Sequence, residues 1–132
     1  FFETLFTIEK INFINLQKDF GTEQIKNFKY KEKLYDFSSE VDNGENAFED
    51  TIGILNNIDL VITIDSVLAH LSATMGIKTW ILLSHFPHWI FFTKMKNSPW
   101  YENMTIYRKE KSNTWDEVFN IIKKNLLNEF KI

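Results

Sequence analysis

Asp65, Ser66 and His70 are the side chains best placed for chemistry, and their position in the pattern says which chemistry. They sit where the apolar run Val61-Ile62-Thr63-Ile64 passes into Val67-Leu68-Ala69-His70-Leu71, which reads as a buried strand feeding a helix. The first-turn amides of a helix have no partners within it, and the aligned peptide dipoles make that end partly positive. In an open α/β sheet this junction is where anionic ligands bind, and a diphosphate can take up both the amides and the field. Ser66 and His70 are four residues apart and share one side of the helix. Leu68, Leu71 and Met75 form an apolar stripe expected to face the sheet, and Gly76 falls where a left-handed C-terminal cap belongs. The competing reading is plain capping by Asp65 or Ser66, with His70 merely exposed.

The elements that must position these residues follow from periodicity. Alternation predicts a strand over 11–16 and a weaker one over 33–37, while apolar runs predict buried strands over 60–64 and 78–83 and a short one over 105–108. Helices are expected from residue 22 toward 30, over 48–58 with Phe48, Ile52 and Leu55 inward, after Ser66, and over 114–130. In the last, Trp115, Val118, Phe119, Ile122, Leu126 and Leu127 make the buried stripe. Residues 2–8 have the spacing of a helix end, 38–46 form an acidic loop, and 85–101 a long aromatic loop. Strands alternating with helices imply βαβ units and a parallel sheet flanked by helices, a Rossmann-like α/β domain. Lys18, the 43–46 loop, Asp65-Ser66 and Ser84-His85 then all fall on the edge formed by strand C-terminal ends.

Composition narrows the classes. The 132 residues suit one domain, 1–132, and 44% hydrophobic with 16% aromatic content is enough to bury a core. A net charge of -3, with no basic block, speaks against nucleic acid as a partner. The chain has no cysteine, so disulfides, thiolate metal sites and a cysteine nucleophile are excluded. No apolar run approaches the roughly 20 residues of a transmembrane segment, and no signal peptide is visible, so a cytoplasmic location is expected.

Other constellations have simpler structural explanations. His85, His88 and His70 invite a metal, but the spacing lacks helical register and a carboxylate partner, so no metal is expected. The carboxylates from Glu40 to Glu49 do not match the ligand spacing of a calcium loop. Asp65, Ser66 and His70 name the parts of a hydrolase triad, yet adjacent Asp and Ser cannot bracket the histidine, and no glycine-framed nucleophile elbow is present. The aromatic residues from Phe86 to Tyr101 are read first as packing anchors and second as a stacking platform for a base or sugar.

Asp59-Leu60-Val61-Ile62-Thr63-Ile64-Asp65-Ser66-Val67-Leu68-Ala69-His70-Leu71, followed by Gly76-Ile77-Lys78-Thr79-Trp80-Ile81-Leu82-Leu83, resembles the donor-binding signature of the heptosyltransferase-like glycosyltransferases. The closest pattern is the C-terminal glycosyltransferase region that follows tetratricopeptide repeats in many bacterial proteins. Asn15-Leu16-Gln17-Lys18, Ala47-Phe48-Glu49-Asp50-Thr51, Ser98-Pro99-Trp100-Tyr101 and Trp115-Asp116-Glu117-Val118 resemble its flanking pieces. The resemblance implies the C-terminal, donor-binding half of a GT-B fold, with a nucleotide-diphosphate sugar as ligand. The acceptor-binding N-terminal half would come from a partner chain or domain. On this resemblance Ser66 and the amides of Ser66 and Val67 would hold the diphosphate, with Asp65 near the sugar or the pyrophosphate and His70 touching the phosphate or helping to orient it. Lys18 would neutralise the departing nucleotide diphosphate, Asn46 and Ala47 would position the base, and Asp50 or Thr51 would lie near the ribose. The family commonly has glycine or alanine where Val67 stands. Neither metal nor other cofactor is implied. The alternatives are a non-catalytic nucleotide- or phosphate-binding subunit and a vestigial interaction domain.

Overall fold

The structure, a computed structural model, describes residues 1–18, 20–86, 88–92 and 95–132. Four α-helices and five strands follow one another along the described residues: α1 (Glu3–Phe6), β1 (Phe13–Asn15), β2 (Leu34–Asp36), α2 (Glu49–Leu55), β3 (Val61–Ile64), α3 (Val67–Thr74), β4 (Thr79–Leu83), β5 (Met104–Arg108) and α4 (Trp115–Phe130). The α/β class expected from periodicity is therefore observed. In place of one sheet there are two small parallel ones, β1-β2 and β3-β4-β5, flanked by helices in a Rossmann-like arrangement. The chain gathers into two compact units, one of Phe1–Ile54 with Lys123–Ile132, the other of Leu55–Ile122. No helix among the described residues is long and apolar enough to cross a membrane.

The second unit is built on β4. All five of its residues are buried, because it is the central strand and is paired in parallel on both sides. β3 lies at the sheet's edge, so of its four residues only Val61 is fully buried and Ile64 is exposed at the C-terminal end. The core unites Ala69, Ala73, Ile81, Leu83, Phe91, Met104 and Ile106, with Ile90 and Tyr101 packed against it.

α3 covers β3 and β4 with a face one step out of phase with the expected stripe. Its fully buried residues are Ala69, Ser72 and Ala73, while Leu68, Leu71 and Met75 are only half-buried. The spacing of three and four is the same, but small side chains occupy it and let the helix backbone lie close to the sheet. Gly76 ends the helix at φ +79 as expected, with the Ile77 amide donating to Ser72 O. The Ser72 and Thr79 hydroxyls meet at 2.9 Å, and Asn103 Nδ2 donates to the carbonyls of Ala73 and Ile77. Those contacts satisfy the helix end internally. α4 opens with a reciprocal capping box, Thr114 N–H to Glu117 Oε2 at 2.7 Å and Glu117 N–H to Thr114 Oγ1 at 3.3 Å. Val118, Phe119, Ile122 and Leu126 of its expected stripe are buried, with Trp115 and Leu127 partly so.

The first unit holds β1 beside β2, with Phe13 opposite Leu34 and Asn15 opposite Asp36. The connection between them forms two 3-10 turns, Thr22–Asn27 and Lys31–Lys33, where an α-helix is expected. Phe6 anchors an aromatic cluster, stacked on Phe13 at 4.0 Å and meeting Phe28 edge-on at 4.7 Å. In α2 the buried residues are Thr51 and Leu55, whereas Phe48 and Ile52 are exposed. Phe48 precedes the helix at φ +67, so it does not extend the helical face.

Candidate functional site

At the β3–α3 junction Ser66 is the residue before the helix, held in extended backbone at φ -155 and ψ 169. Its carbonyl accepts from the Ala69 amide at 3.1 Å, but no side chain caps the helix. The Ser66 hydroxyl lies 3.3 Å from Thr63 Oγ1 instead. Asp65 and Val67 are exposed, so the positive end of α3 opens toward solvent at the C-terminal end of β3. The plain capping by Asp65 or Ser66 that was the competing reading is not what this junction does.

His70 is half-buried rather than merely exposed. Its ring stacks on Phe91 at 5.9 Å, and Nδ1 is 3.2 Å from the Tyr101 hydroxyl. Tyr101 thereby sets the ring's orientation, and a ligand contact would fall to Nε2. The loop over 85–101 contributes this support, and Pro87, Thr93 and Lys94 of that loop lie outside the described residues. Its aromatic residues divide two ways: Phe91 is a core anchor, while Phe86, Trp89, Phe92 and Trp100 are exposed.

Two residues that sequence reasoning passed over also lie here. Tyr101 was counted only as one member of an aromatic loop. Arg108, the single arginine of the chain, closes β5 and donates from Nη2 to the carbonyls of Phe91 at 3.3 Å and Phe92 at 2.7 Å. Its Nη1 is buried without a hydrogen-bond partner among the described residues. The signal that could have found it is a lone arginine at the C-terminal end of a strand in a chain otherwise supplied with lysine.

Lys18, Asn46, Ala47, Asp50 and Thr51 belong to the first unit. Lys18 Nζ donates to the carbonyls of Val41 and Asp42 and to Asn43 Oδ1, so its three protons have acceptors within the loop. Asp42 in turn caps α2: its Oδ1 accepts from the amides of Asp50 and Thr51, and its Oδ2 from the Thr51 hydroxyl. Asp50 Oδ2 returns the contact to the Asp42 amide at 2.8 Å. Burial pushes the Asp42 carboxyl up, but the Thr51 hydroxyl, the two amides and the Lys18 charge hold it below the usual carboxylate range. Asn46 donates to Glu49 Oε2 at 2.8 Å, and Ala47 is exposed. The structure thus brings Lys18, Asp50 and Thr51 together around Asp42, and brings Asp65, Ser66, Val67 and His70 together at the head of α3.

His85 is engaged elsewhere. His85 Nδ1 pairs with Glu110 at 3.1 Å, at the ends of β4 and β5. Among the described residues no three histidine, aspartate or glutamate side chains gather as metal ligands. Comparison with protein-family models, with curated proteins and with solved structures finds no match.

Proposed function

We propose that the head of α3 is a diphosphate site and that the chain binds a nucleotide-diphosphate sugar there, as the donor-binding half of a GT-B glycosyltransferase. The observation that carries the reading is the uncapped N-terminus of α3 beside the exposed Asp65 and Val67. Backbone amides and the helix dipole attract the diphosphate, and the Ser66 hydroxyl adds a donor. His70 supplies Nε2 to a phosphate oxygen, and Asp65 accepts from sugar hydroxyls. The resemblance of the 59–83 segment to the heptosyltransferase-like signature supports the choice of nucleotide sugar over simple phosphate.

In transfer, the largest electrostatic demand is the charge that builds on the departing nucleotide diphosphate. The helix end meets that demand at the β-phosphate without a metal. The role given to Lys18 rests on the resemblance alone, since its ammonium group is held by acceptors over 41–43. The roles given to Asn46, Ala47, Asp50 and Thr51 rest on the resemblance alone and form no part of the diphosphate argument. A partner chain or domain supplies the acceptor half.

A thermal-shift titration against UDP, GDP, ADP and their sugar conjugates tests the site. Ligand at about 100 times its dissociation constant stabilises the folded chain by roughly 2.7 kcal/mol. The expected result is a shift selective for one nucleotide that Ser66→Glu abolishes and His70→Gln weakens. No shift with any nucleotide in the folded chain, or a shift that both variants retain, removes the proposal.

A further inference from the structure

Asn43 and Gly44 form a reactive pair in the first unit, within the acidic loop over 38–46. The backbone nitrogen of a glycine can attack the side-chain amide of a preceding asparagine, because no Cβ crowds the approach and the backbone bends freely. Asn43 alone among the asparagines of the chain precedes a glycine. Both residues are exposed, and among the described residues the Gly44 amide has no hydrogen-bond partner. The nitrogen that must act as nucleophile is therefore not tied up in the fold. Asn97-Ser98 is the contrasting case: Ser98 is buried, and its amide donates to Met104 O at 3.2 Å.

The Asn43 side chain is polarised as well as exposed. Its Oδ1 accepts from Lys18 Nζ at 3.3 Å, and its Nδ2 donates to Ser39 O at 2.7 Å. When a nitrogen adds to Cγ, negative charge develops on Oδ1, and an ammonium group already beside that oxygen stabilises it. The carbonyls of Val41 and Asp42 keep Lys18 in place, so its charge needs no reorganisation at the moment of attack. The Ser39 contact works the other way, since ring closure draws Nδ2 off its acceptor. That contact joins two neutral groups at the surface, where water replaces it at little net cost. The Lys18 charge acts through space and does not depend on one hydrogen bond.

We propose that Asn43 is a site of spontaneous imide formation and deamidation, promoted by Lys18. Gly44 N bonds to Asn43 Cγ as the Cγ–Nδ2 bond breaks, and Nδ2 leaves as ammonia with the proton of the Gly44 amide. Water then opens the imide ring. Attack of water at Cγ gives aspartate at position 43, with its new carboxylate against the Lys18 ammonium group. Attack at the Asn43 backbone carbonyl carbon gives isoaspartate, with the main chain rerouted through Cγ and lengthened by a methylene. The added carbon lies directly after Asp42, whose carboxylate accepts from the amides of Asp50 and Thr51. The modification therefore acts on the cap of α2.

The test is peptide mapping by mass spectrometry of the full chain aged in mildly alkaline buffer, both folded and in urea. Enzymatic methylation of isoaspartate gives a second readout, and circular dichroism confirms that each variant is folded. The expected result is a gain of one mass unit at Asn43 in the folded chain, as a mixture of aspartate and isoaspartate, while Asn97 stays unchanged. Gly44→Ala nearly stops the reaction, and a Cβ at that position meets nothing within 4 Å, so the fold accepts it. Lys18→Met slows the reaction roughly threefold, the worth of one exposed charge. If Asn43 survives in the folded chain for as long as the urea-unfolded chain takes to convert, the proposal is overturned. It is equally overturned if Gly44→Ala converts at the wild-type rate, since the reaction would then bypass the imide. A Lys18→Met chain that converts as fast as wild type or faster also overturns it, because the loop's hydrogen bonds would then protect Asn43.

Discussion

Asp42 shows what a single residue does that no local pattern announces. Its carboxylate caps a helix that begins seven residues later, and Lys18, more than twenty residues earlier, closes over the same loop. Nothing in residues 38–46 marks one acid among several as the cap, because the partner amides are distant in sequence. Asp65 and Ser66, by contrast, were legible at once, since both strand and helix abut them. The lowered Asp42 pKa has a stability consequence of definite sign. A carboxyl that binds protons less readily folded than unfolded contributes stability that is complete above the unfolded value, roughly 3.9, and is lost as pH falls through the lower folded value. Asp42→Asn keeps a side chain that tolerates the left-handed backbone at φ +50 while removing the charge. Urea unfolding at neutral pH is expected to show a loss of about 1 kcal/mol, the usual worth of a partly exposed cap. Below about pH 4 the variant should lose stability less steeply than wild type. Part of the acid dependence remains, because the Asn15 hydrogen bond also lowers Asp36. An acid limb identical in the two proteins would show that Asp42 does not act through its charge.

At the scale of elements, the strands and the long helix α4 were legible. The 22–30 segment forms 3-10 turns in place of a helix, and the facing of α2 and α3 was not legible. Period-two and apolar runs located all five strands, and the amphipathic spacing of α4 identified its buried residues. α2 and α3 were read by their largest side chains, which assigns inward faces of Phe48-Ile52-Leu55 and Leu68-Leu71-Met75. The buried faces are Thr51-Leu55 and Ala69-Ser72-Ala73. Hydrophobic size misleads where close approach of backbones matters more than side-chain volume, as it does for a short helix laid on parallel strands. The two phases make opposite predictions for Ala69, which is wholly buried in the core with Ile81 and Phe91. On the face read from sequence, a leucine at Ala69 would lie on the helix flank and be nearly neutral. On the observed face Ala69→Leu forces the helix off the sheet, and the expected loss in chemical denaturation is about 1–3 kcal/mol. Stability within a few tenths of wild type would favour the leucine stripe instead.

At the scale of the whole molecule, the alternation of strands and helices predicted an α/β chain with parallel strands, and that is what forms. The division into two sheets was not legible. Residues 11–16 and 33–37 alternate well enough to be strands, but nothing local says how few of their residues find partners. Each ends as a three-residue strand in a pair of its own. The link between them is made of 3-10 turns, whose strained hydrogen bonds make them weaker supports than an α-helix. β4 is the opposite case. It is five residues long, wholly buried and bonded on both sides, with its start sealed by the Ser72–Thr79 hydroxyl contact. Local opening free energies follow such differences in burial and pairing, from near zero at frayed edges to the global value in central strands. Native-state hydrogen exchange should therefore find the amides of β4 slower than those of β1 and β2 by roughly tenfold or more. Because the β3–α3 junction at Ser66 is one strand away from β4, the same measurement bears on the proposed site. A scaffold whose central strand opens last keeps the head of α3 in register while the first unit fluctuates. Equal protection in the two sheets would mean that the chain opens as one cooperative body, and that the rigidity attributed to β4 belongs to the whole.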